Sequence, residues 1–232
     1  MRLLVLTLLL ASTAAGQPRF AFEAATHDFG RIAEVGGFAE TIFRFENAGD
    51  APLRITRVDA TCGCTTPSWS TGDIEPGGSG FVTVAYDPDG RPGPFDKTVR
   101  VSAGDAEPVV LRVEGVVESA LAQTGVRLGS FAFNRTVADA GTAPAGGDLQ
   151  TSFQFANVSE RPIRIASVEA PDYVEIAWSE RPIFPDRLAG FYVSIRDASR
   201  HATEGEIDVE FTVHTDDPDQ PVKRLAVRGR VE

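Results

Sequence analysis

Both cysteines of the chain fall in one tripeptide, Cys62-Gly63-Cys64, inside Ala60-Thr61-Cys62-Gly63-Cys64-Thr65-Thr66-Pro67. Two sulfurs this close have three uses. They can form a disulfide, the first expectation in an oxidising compartment. They can exchange that bridge with another thiol, or hold the soft ion Cu(I) as a thiolate pair. Closing so small a loop stabilises by only ~1.6 kcal/mol on the chain-entropy model, so stability is a weak reason for a bridge. In an extended strand the two Cα atoms lie near the upper limit for bridging, and Gly63 helps the chain bend. Zinc fits less well, because a structural site wants four ligands and the other donors are His27, His201, His214 and carboxylates. Cys62 and Cys64 are therefore the disulfide candidates, with an inert bridge as the first reading and copper as the one cofactor alternative.

The other polar residues form no catalytic constellation. No Gly-x-Ser-x-Gly, His-Glu-x-x-His or phosphate loop occurs. The acidic runs near Asp87 and Asp216 lack the spacing of an EF-hand loop and read as turn formers. These observations predict a protein that is not an enzyme.

Export is expected from the start of the chain. Met1-Arg2, the apolar run Leu3 to Leu10 and the small residues Ala14, Ala15 and Gly16 have the layout of a signal peptide cut after Gly16. The run is shorter than the ~20 residues that span a bilayer, so no membrane insertion is expected after cleavage. Export places the chain in the periplasm, at the cell surface or outside. A net charge of −11 repels phosphate backbones, which argues against nucleic-acid partners.

The elements that must carry the cysteines are legible from an internal repeat. Phe43-Arg44-Phe45-Glu46-Asn47 through Ile55 matches Phe153-Gln154-Phe155-Ala156-Asn157 through Ile165 at an offset of 110 residues. The match continues from Val58 and Ala60 to Val168 and Ala170, then from Trp69 to Trp178 with a one-residue gap. Gly80-Phe81 is expected to return to register with Gly190-Phe191. Leu111 to Glu118 corresponds to Leu225 to Glu232, so the second copy ends with the chain. The second copy has Asp172-Tyr173-Val174 in place of the cysteine motif, so the fold does not need the thiols.

Within each copy the apolar period is two: Thr41, Phe43 and Phe45 alternate with Ile42 and Arg44, and Ile207 to Val213 behave likewise. Such alternation marks antiparallel strands with one wet face. Turn residues such as Asn47-Ala48-Gly49-Asp50 and Asp216-Asp217-Pro218-Asp219 separate the runs. The reading is an all-β chain of two tandem immunoglobulin-like β-sandwiches, residues 17–118 and 119–232, after a signal peptide at 1–16. Phe43, Phe45 and Trp69 should face the first core, and Phe153, Phe155 and Trp178 the second, with Ile55, Val58, Ile165 and Val168 beside them. Asn47 and Asn157 should cap turns.

The ordered set His27-Asp28-Phe29-Gly30-Arg31-Ile32, Phe45 to Leu53, Thr61-Cys62-Gly63-Cys64-Thr65, Ile74-Glu75-Pro76-Gly77-Gly78 and Gly93-Pro94-Phe95-Asp96-Lys97 resembles the bacterial domain-of-unknown-function family 1573. The resemblance covers the first copy. It implies an immunoglobulin-like sandwich related to PapD-like and abnormal-spindle/hydin modules, often exported, with no established activity. The second copy lacks the cysteines and the His-Asp-Phe-Gly motif and reads as a diverged sandwich. The function expected is an exported scaffold that binds another protein by edge strands or loops. Its rival is a thiol-dependent protein that handles copper or exchanges disulfides through Cys62 and Cys64.

Overall fold

The computed structural model describes residues 16–232; the expected signal peptide lies outside them, apart from Gly16. The first half folds as β1 (Phe20–Phe22), β2 (Thr26–Ala33), β3 (Ala39–Asn47), β4 (Arg57–Ala60), β5 (Thr65–Trp69), β6 (Ser79–Tyr86), β7 (Gly93–Ala103) and β8 (Ala106–Glu118). These strands make two sheets, ordered β1-β3-β6-β5 and β2-β8-β7-β4. A one-turn helix, α1 (Leu121–Thr124), follows. The second half comprises β9 (Val126–Leu128), β10 (Phe131–Phe133), β11 (Val137–Ala143), β12 (Leu149–Asn157), β13 (Ile165–Glu169), β14 (Val174–Ala177), β15 (Leu188–Ile195), β16 (Glu206–Thr215) and β17 (Val222–Val231). Its sheets run β14-β15-β12-β10-β9 and β11-β17-β16-β13. Strand for strand, the second order reproduces the first, with β9 added beside β10.

The described residues also fall into two compact units by proximity. One takes residues 16–27, Glu40–Tyr86 and Lys97–Val113; the other takes Asp28–Ala39, Asp87–Asp96 and Glu114–Glu232. The hydrogen-bonded sheets divide instead at the connection that holds α1.

Alternation decides which side chains are buried. Along β3, Phe43, Phe45 and Asn47 are buried while Ile42, Arg44 and Glu46 are exposed. Phe153 and Phe155 repeat this on β12, and Phe153 meets Phe211 of the facing sheet edge-on at 5.6 Å. Each fully buried aromatic of this kind removes about 150–250 Å² from water, roughly 4–6 kcal/mol of gross driving force at about 25 cal/mol per Å².

Four residues expected in the cores are half-buried: Trp69 and Val58 in the first half, and Trp178 and Val168, which pack against the second core as expected. The reason is shared. Trp69 ends β5, Trp178 follows β14, and Val58 and Val168 lie on β4 and β13, all edge strands of their sheets. A side chain on an edge strand has a neighbour on one side only, so even an inward one stays partly wet.

The register of the repeat differs in three places from the sequence reading. Leu53 bridges Ile74 and Ile163 bridges Ile183, and Trp69 stands opposite Val82. Ala177 stands opposite Tyr192, which puts Trp178 beside Phe191 in the same ladder. The offset therefore stays at 109 through β6 and β15, and Gly80-Phe81 corresponds to Ala189-Gly190 rather than Gly190-Phe191. The Asp-Gly element of the His-Asp-Phe-Gly motif is also retained. Asp28 accepts a hydrogen bond from Gly30 N–H at 2.8 Å, and Asp139 accepts one from Gly141 N–H at 2.8 Å; both glycines have positive φ. Finally, Phe20-Ala21-Phe22 and Phe131-Ala132-Phe133 are the same strand. Phe20 stands opposite Asn47 and Phe131 opposite Asn157.

Those two asparagines do more than cap a turn. Each is wholly buried, at 0% exposure. Asn47 Nδ2 donates to the carbonyls of Ala51 (2.8 Å) and Ile74 (2.9 Å), and its Oδ1 accepts from Gly49 N–H (3.0 Å). Asn157 Nδ2 donates to Arg161 (2.7 Å) and Ile183 (2.7 Å), and its Oδ1 accepts from Ser159 N–H (3.0 Å). One side chain thus satisfies its own turn and ties it to a distant bridging segment, at Ile74 in one half and Ile183 in the other.

Candidate functional site

Cys62 and Cys64 are joined by a disulfide with Cα atoms 5.2 Å apart. The motif is not extended strand, as the spacing argument supposed. It lies in a turn closed by Thr65 N–H donating to Cys62 O at 3.3 Å, immediately before β5, and this bend brings the Cα atoms within bridging range. Gly63 has no positive φ, and a Cβ there meets nothing within 4 Å, so closure does not depend on a glycine.

Cys64 is buried and Cys62 half-buried. The neutral Thr65 hydroxyl lies 3.5 Å from the Cys62 sulfur and 3.9 Å from that of Cys64. With both sulfurs bridged, binding of Cu(I) requires prior reduction. Among the described residues, no three His, Cys, Asp or Glu side chains converge as a ligand set. His201 instead stacks on Tyr173 at 3.7 Å, and His214 Nε2 lies 3.2 Å from a Glu169 carboxylate oxygen without a hydrogen bond to it. In the second half the equivalent turn closes from Val174 N–H to Pro171 O at 2.9 Å. Pro171-Asp172-Tyr173, one residue earlier than the sequence alignment, therefore replaces the cysteine motif.

The acidic turn of the second half, where the sequence pointed to turn formers alone, holds a buried ion pair. Lys223 is 0% exposed and Asp217 1%. Lys223 Nζ donates to Asp217 Oδ2 (2.9 Å), Thr215 Oγ1 (3.1 Å) and Gln220 O (2.6 Å), and lies 4.9 Å from the centre of the Phe131 ring. Asp217 also accepts from the Ser130 N–H (2.8 Å) and hydroxyl (2.7 Å) and from Asp219 N–H (3.2 Å). Burial alone pushes the Asp217 carboxyl up, but the donors from Ser130, Lys223 and Asp219 together outweigh it and hold the group at about 2. Burial sets the Lys223 ammonium below the ordinary lysine range although Asp217 favours its charge. The signal was present in the sequence: Lys223 occupies the inward phase of β17 with Leu225 and Val227, where a charge needs a buried partner.

The sheet edges are the remaining feature with binding chemistry. In β5, Ser70 N–H donates to Phe81 O in the same register as Thr65 opposite Tyr86. Thr66 and Ser68 therefore pair with β6, while Thr65, Pro67 and Trp69 direct their backbone groups to the open edge. Thr65 N–H is used by the cysteine turn and Pro67 has no N–H, so this edge presents few donors.

Two four-stranded sheets in one half, and a four- and a five-stranded sheet in the other, define a tandem immunoglobulin-like β-sandwich protein. Residues 20–117, within the first half, match the family model described as "Protein of unknown function (DUF1573)". No curated protein matches the chain. Among solved structures, it is similar to a protein of unknown function from Porphyromonas gingivalis W83, with 15% identity, coverage of 91% of this chain and 99% of that one, and a TM-score of 0.39. PapD-like domain 7 of human CEP192 matches at 15% identity over 52% of this chain and 99% of that domain, TM-score 0.37. A mouse clustered PcdhgC3 EC1-3 structure matches at 10% identity over 93% and 68%, TM-score 0.35.

Proposed function

We propose that the chain is an exported, non-enzymatic scaffold of the cell envelope or secretome whose sandwiches bind another protein. The observation that carries this reading is the set of sheet edges: strands such as β5 and β14 are paired on one side only, and an edge strand can accept an added strand. The strongly acidic surface favours protein partners over nucleic acid or anionic membrane. Cross-linking in the producing cell, followed by affinity capture, tests the reading. A partner recovered reproducibly and at stoichiometric yield supports it, and cross-linking that yields only the chain itself removes it.

The bridge at Cys62–Cys64 favours one rival, a protein that exchanges disulfides or takes up Cu(I) after reduction. On the scaffold reading, the double replacement Cys62→Ser/Cys64→Ser leaves partner capture unchanged. It lowers the unfolding free energy by no more than ~1.6 kcal/mol, measured by urea denaturation. Loss of phenotype in that variant with an unaltered melting curve hands the function to the thiols, as does stoichiometric Cu(I) uptake by the reduced wild-type chain.

A further inference from the structure

The two equivalent edges, β5 and β14, differ in one respect that bears on strand addition. Arg196 N–H donates to Tyr173 O at 3.2 Å, in the register that sets Glu175 opposite Ser194 and Ala177 opposite Tyr192. Glu175 and Ala177 therefore pair with β15, while Val174, Ile176 and Trp178 turn their backbone groups outward. Ile176 stands where the first half has Pro67. The β14 edge thus keeps the donor that β5 lacks, and its ladder has no bulge, in contrast to β13 and β11, whose pairings shift register.

Beside this edge runs a groove of about 280 Å³ between the rims of the two sheets of the second sandwich. Val174, Ile176 and Trp178 line it from β14 and the residue after it, and Val168 and Ala170 from the opposite rim. All three β14-side residues share the inward phase, so a strand laid along β14 would drop every second side chain into the groove. Its other side chains would lie beside Glu175, which Arg196 already pairs at 2.6 Å, so the negative charge on offer comes from Asp172 at the groove's end and from the chain's net charge of −11.

We propose that the β14 edge takes an extended segment of a partner protein as an added strand, with small apolar residues at alternate positions and lysine or arginine between them. This rests on the scaffold reading and names its binding edge and the chemistry of the partner. The probe is the acetylated, amidated heptapeptide Lys-Val-Lys-Val-Lys-Val-Lys, titrated against the mature chain and followed by amide hydrogen exchange. Saturable binding should slow exchange of the Ile176 and Trp178 amides at least ~tenfold, and Ile176→Pro should weaken binding about tenfold, the worth of one or two backbone hydrogen bonds. Proline at this place is compatible with the sandwich, since Pro67 occupies it in the first half. Should the variant nevertheless fail to fold, the wild-type exchange pattern decides alone. No saturable binding at millimolar peptide, protection confined to other strands, or undiminished affinity in a folded Ile176→Pro chain overturns the proposal. Partner capture in the cell by that folded variant overturns this edge and leaves the scaffold reading standing, whereas the absence of any cross-linked partner removes the scaffold reading itself.

Discussion

Replacing Lys223 with alanine should lower the unfolding free energy by about 3–5 kcal/mol, the cost of leaving a buried carboxylate without its counter-ion. Asp217 would retain the Ser130 and Asp219 donors but lose the only cation that contacts it among its hydrogen bonds. Alanine would also take the Lys223 donor from the Gln220 carbonyl, while the Thr215 hydroxyl would keep the Asp217 N–H. The double replacement Asp217→Asn/Lys223→Met should recover part of the loss, because the uncompensated charge is gone; a double-mutant cycle in urea measures the coupling. Asp217 also sets an acid limb, through the Ser130 donors first and Lys223 after them. Asp217 sits at about 2 when folded against an ordinary value of 3.8, so the folded state binds its proton less readily than the unfolded chain. Its contribution, on the order of 2 kcal/mol, is fully present above about pH 4 and is lost as pH falls through about 2. Asp217→Asn should flatten the stability profile in that window. A Lys223→Ala loss below about 1 kcal/mol would show that the pair is neither buried nor coupled.

The second large effect is expected at the asparagine staples. Asn157→Ala leaves the Ser159 N–H without its acceptor and takes one of two donors from each carbonyl, since Arg161 O keeps the Ser159 hydroxyl and Ile183 O keeps the Ile163 N–H. One amide left unsatisfied costs about 1–3 kcal/mol, and with two carbonyls each losing one donor the loss should be about 2–3 kcal/mol. Asn47→Ala should cost a similar amount in the first sandwich, because the same two carbonyl acceptors and the same turn amide are involved. The sharper expectation is for aspartate, which is isosteric but offers no donor. Asn157→Asp should be at least as damaging as alanine, since two carbonyl oxygens would then face a carboxylate. Thermal melts of the four single variants check this; a neutral Asn→Asp change at either position contradicts the staple.

The sandwich architecture was legible because alternation is a local property. Phe43, Phe45 and Ile207 to Val213 announce their faces in sequence, and the faces are those observed. Edge position is not local. Nothing near Trp69 or Val58 says that β5 and β4 would lack an outer neighbour, so a rule that buries large apolar residues overshot at both. The repeat was visible where long side chains match, as at Phe153-Gln154-Phe155-Ala156-Asn157. It was missed where the equivalence is a three-residue strand, Phe20-Ala21-Phe22, or a turn carried by Asp139 and Gly141 with a different residue between. The cysteines could be singled out by type, but their turn geometry follows from a hydrogen bond at Thr65 that spacing alone does not encode. Lys223 was the most informative residue overlooked: a charge in the inward phase of an alternating strand is an anomaly, and it points to a buried counter-charge packed against that strand.

Which backbone groups face a neighbour and which face the open edge, in two equivalent strands, decides where a further strand can add. Residue-by-residue amide exchange of the free mature chain tests this most directly. The register predicts slow exchange at Thr66, Ser68, Glu175 and Ala177 and fast exchange at Ile176 and Trp178, with Asn47 and Asn157 protected in both halves. Protection of Ile176 with rapid loss at Glu175 would mean that β14 is paired the other way round, and uniform protection across β14 would mean that its edge is already covered.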